Sequence, residues 1–126
     1  MAAVVTVVES VSPDGRLSKI QWTWLSHTDG TASLVTPRGY YGEVLSLVTD
    51  PGATAPTVNY DITITDGDSY DVMQAAGANR SDTATETAVP TAKSIAFGVL
   101  TLNVTNSGSG KVGVATLYIL GSRSPA

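Results

Sequence analysis

The chain has one histidine, His27, two positions before Asp29. In a serine hydrolase such a residue would be the general base of a Ser-His-Asp arrangement. No Gly-x-Ser-x-Gly elbow stands between a strand and a helix to supply the nucleophile. A histidine beside a turn, bonded to backbone or water, is the simpler expectation. Asp66, Asp68 and Asp71 follow Asp61, and the first two have the spacing that opens a calcium loop. The pattern then fails, because Asp71 occupies the position that needs glycine and Gly77 the position that needs glutamate. Turn-building and helix capping explain these carboxylates equally well. Ser109-Gly110-Lys111 has the ending of a phosphate loop, but Thr105 replaces its first glycine and Val112 its hydroxyl residue. Glu86 has no spacing that pairs it with Glu43 or Glu9 as glycosidase carboxylates. Cysteine is absent, so there is no disulfide, thiolate nucleophile or thiolate metal site. The expectation is a protein with no catalytic residues, no metal and no cofactor.

Binding residues are easier to nominate. Trp22 and Trp24 share one face of a strand pattern with Ile20. They suit either the centre of a core or a subunit interface, and less readily an aromatic platform for a sugar ring. Tyr40 and Tyr41 sit in the glycine-flanked stretch Pro37-Arg38-Gly39-Tyr40-Tyr41-Gly42, which reads as a loop. Exposed tyrosines anchor interfaces, so Tyr40, Tyr41, Trp22 and Trp24 are the interface candidates.

The elements that would position them alternate with a period of two. Strands are expected over Val4 to Val11, Leu17 to Thr28, Thr31 to Thr36, Glu43 to Thr49, Val58 to Thr65, Ile95 to Thr105 and Lys111 to Leu120. Turn chemistry separates them at Ser12-Pro13-Asp14-Gly15, Asp29-Gly30, Asp50-Pro51-Gly52 and Asn106-Ser107-Gly108-Ser109-Gly110, the second and fourth reading as hairpin tips. Tyr70 to Ala76 is the one stretch that predicts a short helix, with Gly77 as its stop. Asn79 to Thr87 reads as a loop, and Gly121 to Ala126 as a loose tail. These elements imply an all-β fold, an antiparallel β-sandwich or jelly roll of seven to eight strands with one short helix. Its 126 residues fit one domain spanning 1–126.

Composition sets the outer limits. Charged residues are 14% of the chain, the net charge is −4, and the seven Lys and Arg residues form no run, so nucleic acid is not an expected partner. The first residues lack the basic start of a signal peptide, and no apolar run approaches a membrane span of about 20 residues.

Part of the chain resembles a known group. The run Asp61-Ile62-Thr63-Ile64-Thr65-Asp66, then Tyr70-Asp71-Val72-Met73, then Ala76-Gly77-Ala78-Asn79-Arg80-Ser81 resembles small virion structural proteins of tailed bacteriophages. So does the block Gly98 to Asn106, with Ser107-Gly108-Ser109-Gly110-Lys111 and Val114-Ala115-Thr116-Leu117-Tyr118. The resemblance covers roughly residues 40–120 and carries over no catalytic residue. It implies a β-sandwich subunit made in the host cytoplasm and placed on the virion. Such a subunit would be a capsid decoration (cement) protein, a homotrimer that binds the major capsid protein and stabilises the head. The alternatives are a head–tail connector, collar or tail and baseplate component, and a carbohydrate-binding module for host attachment. The chain's ends, Met1-Ala2-Ala3 and Gly121 to Ala126, are expected to dock on neighbours as added strands.

Overall fold

The computed structural model describes residues 3–125. Nine strands follow one another: β1 (Val4–Val11), β2 (Leu17–Leu25), β3 (Ala32–Val35), β4 (Tyr40–Pro51), β5 (Asp61–Thr65), β6 (Glu86–Ala88), β7 (Ile95–Gly98), β8 (Thr101–Thr105) and β9 (Val112–Arg123). Every pairing is antiparallel. The larger sheet runs β1-β2-β9-β4-β6, with β7 pairing β4 beside β6, and the smaller runs β3-β8-β5. A single apolar cluster includes residues of both sheets.

Alternation makes the larger sheet one-sided. Along β2, Ile20, Trp22 and Trp24 are buried while Lys19 and Thr23 face water. Tyr40, Val44 and Leu47 of β4 and Ala115, Leu117 and Ile119 of β9 complete that inner face. The smaller sheet answers with Ala32, Ile62, Ile64, Leu102 and Val104. A β-carbon added to Gly113 would stand 2.4 Å from Cζ2 of Trp24, so β9 must be bare there for the indole to lie across it.

The expected helix is absent. Residues 72–77 form successive turns, closed by amide-to-carbonyl bonds from Gln74 to Asp71 and from Ala76 to Met73. Gln74 and Ala75 adopt φ of 55° and 66°, outside any right-handed helix. The Asp71 carboxylate fixes this shape by accepting the amides of Ile64, Met73 and Ala75, while Val72 and Met73 drop into the core.

Both expected hairpin tips are instead crossings between sheets. Asp29-Gly30 leads from β2 to β3, and Asn106 to Gly110 from β8 to β9, strands that belong to different sheets. Buried hydroxyls hold the two crossings together: Ser107 donates to the Gly30 carbonyl, and Ser26 to that of Gly108. The stretch Ile95 to Thr105 is two strands, with β7 in one sheet and β8 in the other. Gly98, at φ 105°, makes the corner, and Thr36 secures it through two bonds with the Leu100 backbone. Val58 is exposed and lies outside β5. Glu86 and Thr87, expected as loop, form a strand with Ala88 that pairs with Leu47 to Thr49. The supposed tail continues β9, with Gly121, Ser122 and Arg123 opposite Gly42, Tyr41 and Tyr40. Ala3 packs against the core, and Met1, Ala2 and Ala126 lie outside the described residues.

Candidate functional site

Three of the four interface candidates are not on the surface. Trp22 and Trp24 have 0% and 1% of their surface exposed, and Tyr40 is fully buried, so none can touch a partner or stack on a sugar. Their place follows from parity: each is on the inward register of its strand, where the largest side chains fill the space between sheets. Trp24 lies against Tyr60, with ring centroids 5.7 Å apart. Tyr40 turns its hydroxyl beneath β1 and donates it to Glu9, whose other oxygen lies 3.3 Å from Arg38 Nε.

Tyr41 is the candidate that reaches solvent, and it does not stand alone. β4 is paired on both flanks at this point: Tyr41 sits between Phe97 of β7 and Ser122 of β9, and Glu43 between Ile95 and Leu120. Residues opposite each other in an antiparallel pair share a face. Tyr41, Ile95, Phe97 and Leu120 therefore project together from the outer face of the larger sheet, around Glu43. Tyr41 and Phe97 meet edge to face, with centroids 5.0 Å apart. Phe97, the only phenylalanine, is 72% exposed, and Tyr41 is 38% exposed. A shallow cavity of about 290 Å³ is lined by Glu43, Val44, Leu45 and residues 89–93. A second, of about 470 Å³, is lined by Gly15, Arg16, Leu120, Gly121 and Ser122. The two hollows thus border neighbours of the aromatic pair, the first through Glu43 and the second through Leu120 and Ser122.

The residues weighed for chemistry have structural work instead. Asp29 accepts both the hydroxyl and the amide of Thr31, which hold its carboxyl below the ordinary aspartate range. His27 lies 3.4 Å from that carboxylate in a solvent-exposed turn. Asp66 accepts the amides of Asp68 and Tyr70, and Asp61 those of the Asn79 backbone and the Asn106 side chain. Among the described residues no three His, Asp or Glu side chains converge as a metal site. Lys111 sits in the crossing to β9, its amide bonded to Ser26. Glu86 binds the Ser81 amide, Glu9 points inward under β1 and Glu43 outward on β4, so no carboxylate pair forms.

Sequence reasoning missed Ile95, Phe97 and Leu120. In β7 the alternation Ile95-Ala96-Phe97-Gly98 puts large residues on one parity and small ones on the other. A pattern reader assigns the large parity to the core, yet it is Ala96 that is buried. That inversion of large out and small in is the signal, and it becomes readable only once the inward parity is known.

The architecture is that of an all-β protein with two antiparallel sheets and an exposed aromatic face. No protein-family model matches the chain, and no curated protein matches it. Among solved structures it is similar to one described under the promiscuous specificity of carbohydrate-binding modules from the β-sandwich superfamily. That likeness has 15% identity and a TM-score of 0.41, and covers 99% of this chain and 55% of the other. It is also similar to a chain from infectious bursal disease virus, Gx strain, with 12% identity and a TM-score of 0.34, over 94% of this chain and 32% of the other. The chain therefore spans about half and about a third of those two proteins, and at these identities neither function transfers to it. No helix among the described residues is long and apolar enough to cross a membrane.

Proposed function

We propose that this chain is a bacteriophage virion structural protein, a capsid decoration subunit that binds the major capsid protein through its β4–β7–β9 face. The observation that carries the reading is the exposed cluster of Tyr41, Ile95, Phe97 and Leu120. Apolar side chains gathered on one face of a protein mark a contact surface, and aromatic side chains seated in partner pockets supply most of the energy of such contacts. The resemblance of residues 40–120 to tailed-phage virion proteins supplies the setting. The proposal includes no catalysis: Asp29, Asp61, Asp66 and Asp71 accept bonds that hold turns, and His27 stands in the turn with Asp29.

Burying a ring of this size is worth about 2–3 kcal/mol, or one to two orders of magnitude in affinity. Heads prepared without the protein should bind it in hundreds of copies, and Phe97→Ser should weaken that binding about 10- to 100-fold with circular dichroism and Tm unchanged. Equal binding by Phe97→Ser removes this face from the contact. Density confined to the neck or tail, in a dozen copies or fewer, moves the protein to a connector, collar or baseplate.

A second reading rests on the same aromatic pair. Tyr41 and Phe97 expose ring surface with the Glu43 carboxylate nearby as an acceptor, which would suit a sugar on a carbohydrate-binding module. Glycan binding by the wild type that is lost in Tyr41→Ala would replace decoration with host attachment.

A further inference from the structure

The two sheets treat their edges unequally. A strand edge carries unpaired N–H and C=O groups, which folded proteins shorten, twist or cover. Here β3, β6 and β7 are only three or four residues long. The edge of β5 is covered by the segment that follows it: Val72 donates to Ile64, Ile62 to Gly77, and Arg80 to Tyr60. β1 is different. Its eight residues pair with β2 on one side in unbroken register, from Val4 opposite Leu25 to Val11 opposite Ser18. On the other side it has no strand among the described residues. It contains no proline, lysine or bulge. Its one charge, Glu9, is turned under the sheet onto Tyr40 and Arg38.

The sequence of that edge is its own mirror. Val4-Val5-Thr6-Val7-Val8 reads the same in both directions. We infer that β1 is the docking strand for β1 of a second copy, paired antiparallel about a two-fold axis through Thr6. A two-fold interface needs a self-complementary surface, and this register supplies one. Val4 meets Val8 of the other copy, Val5 meets Val7, and the two Thr6 hydroxyls face each other across the axis. Val4 and Val8, 57% and 60% exposed on the outer face, would become cross-strand partners. The two Glu9 carboxylates end up six residues apart along the pair, about 20 Å, so no like charges meet. The result is one sheet continuous through both copies. Such pairing closes at two copies and takes the place of the homotrimer that the resemblance implies.

The test is the mass of the purified full chain across the micromolar range by sedimentation, with Val8→Lys and Thr6→Lys beside the wild type. Both substituted positions face outward, so the fold is retained and circular dichroism checks that it is. The wild type should sediment as two copies. Thr6→Lys places two ammonium groups directly opposite and should weaken association about tenfold or more. Phe97→Ser, on the other face of contact, should leave the two-copy mass unchanged while it lowers head binding, which separates this inference from the proposed function. In hydrogen exchange, β1 amides should be protected at high concentration and lose that protection on dilution. A wild type that stays at one copy throughout, a three-copy mass, or a two-copy mass that survives Thr6→Lys would each overturn the pairing.

Discussion

Tyr40 shows how far a side chain's neighbours can move its role from the one its type suggests. Its phenol is buried, and it donates to the Glu9 carboxylate beside Arg38. Burial first, and then the bond and the charge of Glu9, push its ionisation well above the ordinary tyrosine range, against a smaller opposing pull from Arg123. Burial also raises Tyr60. Both groups are neutral in the fold, so their contribution is fully present below the unfolded value near 10 and is lost as pH climbs from there toward the folded values. Spectrophotometric titration should therefore find two of the five tyrosines ionising late, with their contribution to stability falling above about pH 10. Tyr40→Phe removes the donor and leaves a nearly buried carboxylate short of one partner, which should cost about 1–3 kcal/mol in a urea titration. A cost near zero would mean that Arg38 alone satisfies Glu9. Trp22→Ala should cost about 3–5 kcal/mol, so any loss of ligand binding in that variant would report unfolding.

At the scale of elements, strands carried by their own alternation were legible and those made by distant partners were not. β1 was readable to its ends, and the buried residues of β2 and β5 stood on the expected parity, because a one-sided sheet writes its inner face into every second residue. Tyr40-Tyr41-Gly42 read as loop because glycines flank it. Those glycines serve pairing, though. A β-carbon on Gly121 would stand 2.1 Å from the Tyr41 carbonyl oxygen, and one on Gly42 2.2 Å from that of Leu120. Glycine as punctuation and glycine as clearance look the same until the partner strand is known. The same ambiguity hid the corner at Gly98 and turned Tyr70 to Ala76 into an apparent helix, whose residues are held by the Asp71 carboxylate and by β5. Of the site, Tyr41 was legible and its three companions were not, since their shared face depends on pairings about 50 to 80 residues apart in the chain. Gly121→Ala should consequently force β4 and β9 apart and cost about 1–3 kcal/mol, read as a lower midpoint in urea. Deleting residues 121–126 should also lower Tm. An unchanged Tm would restore the view of this segment as a loose tail.

The order β1-β2-β9-β4 sets how the whole molecule must form. β9, the last strand, lies between β2 and β4, and its twelve residues pair along most of both. Only β1–β2 joins strands that follow each other in the chain, so most of the larger sheet waits for β9. Its inner face carries Ala115, Leu117 and Ile119, and its Gly113 lies under Trp24, so the core closes only when this strand is inserted. Loop closure over such separations costs entropy before any contact repays it, which places folding on the slow side, in milliseconds to seconds. A fragment ending at Lys111 keeps β1 to β8 in sequence but loses the strand that joins them. It should show both tryptophans open to an aqueous quencher and no cooperative transition in denaturant. The full chain should protect both indoles and unfold with tryptophan emission and far-ultraviolet circular dichroism changing together. If the fragment instead protects its tryptophans, the smaller sheet and the β1–β2 hairpin would form a core by themselves. β9 would then be a late addition, and the sheet would not be organised around it.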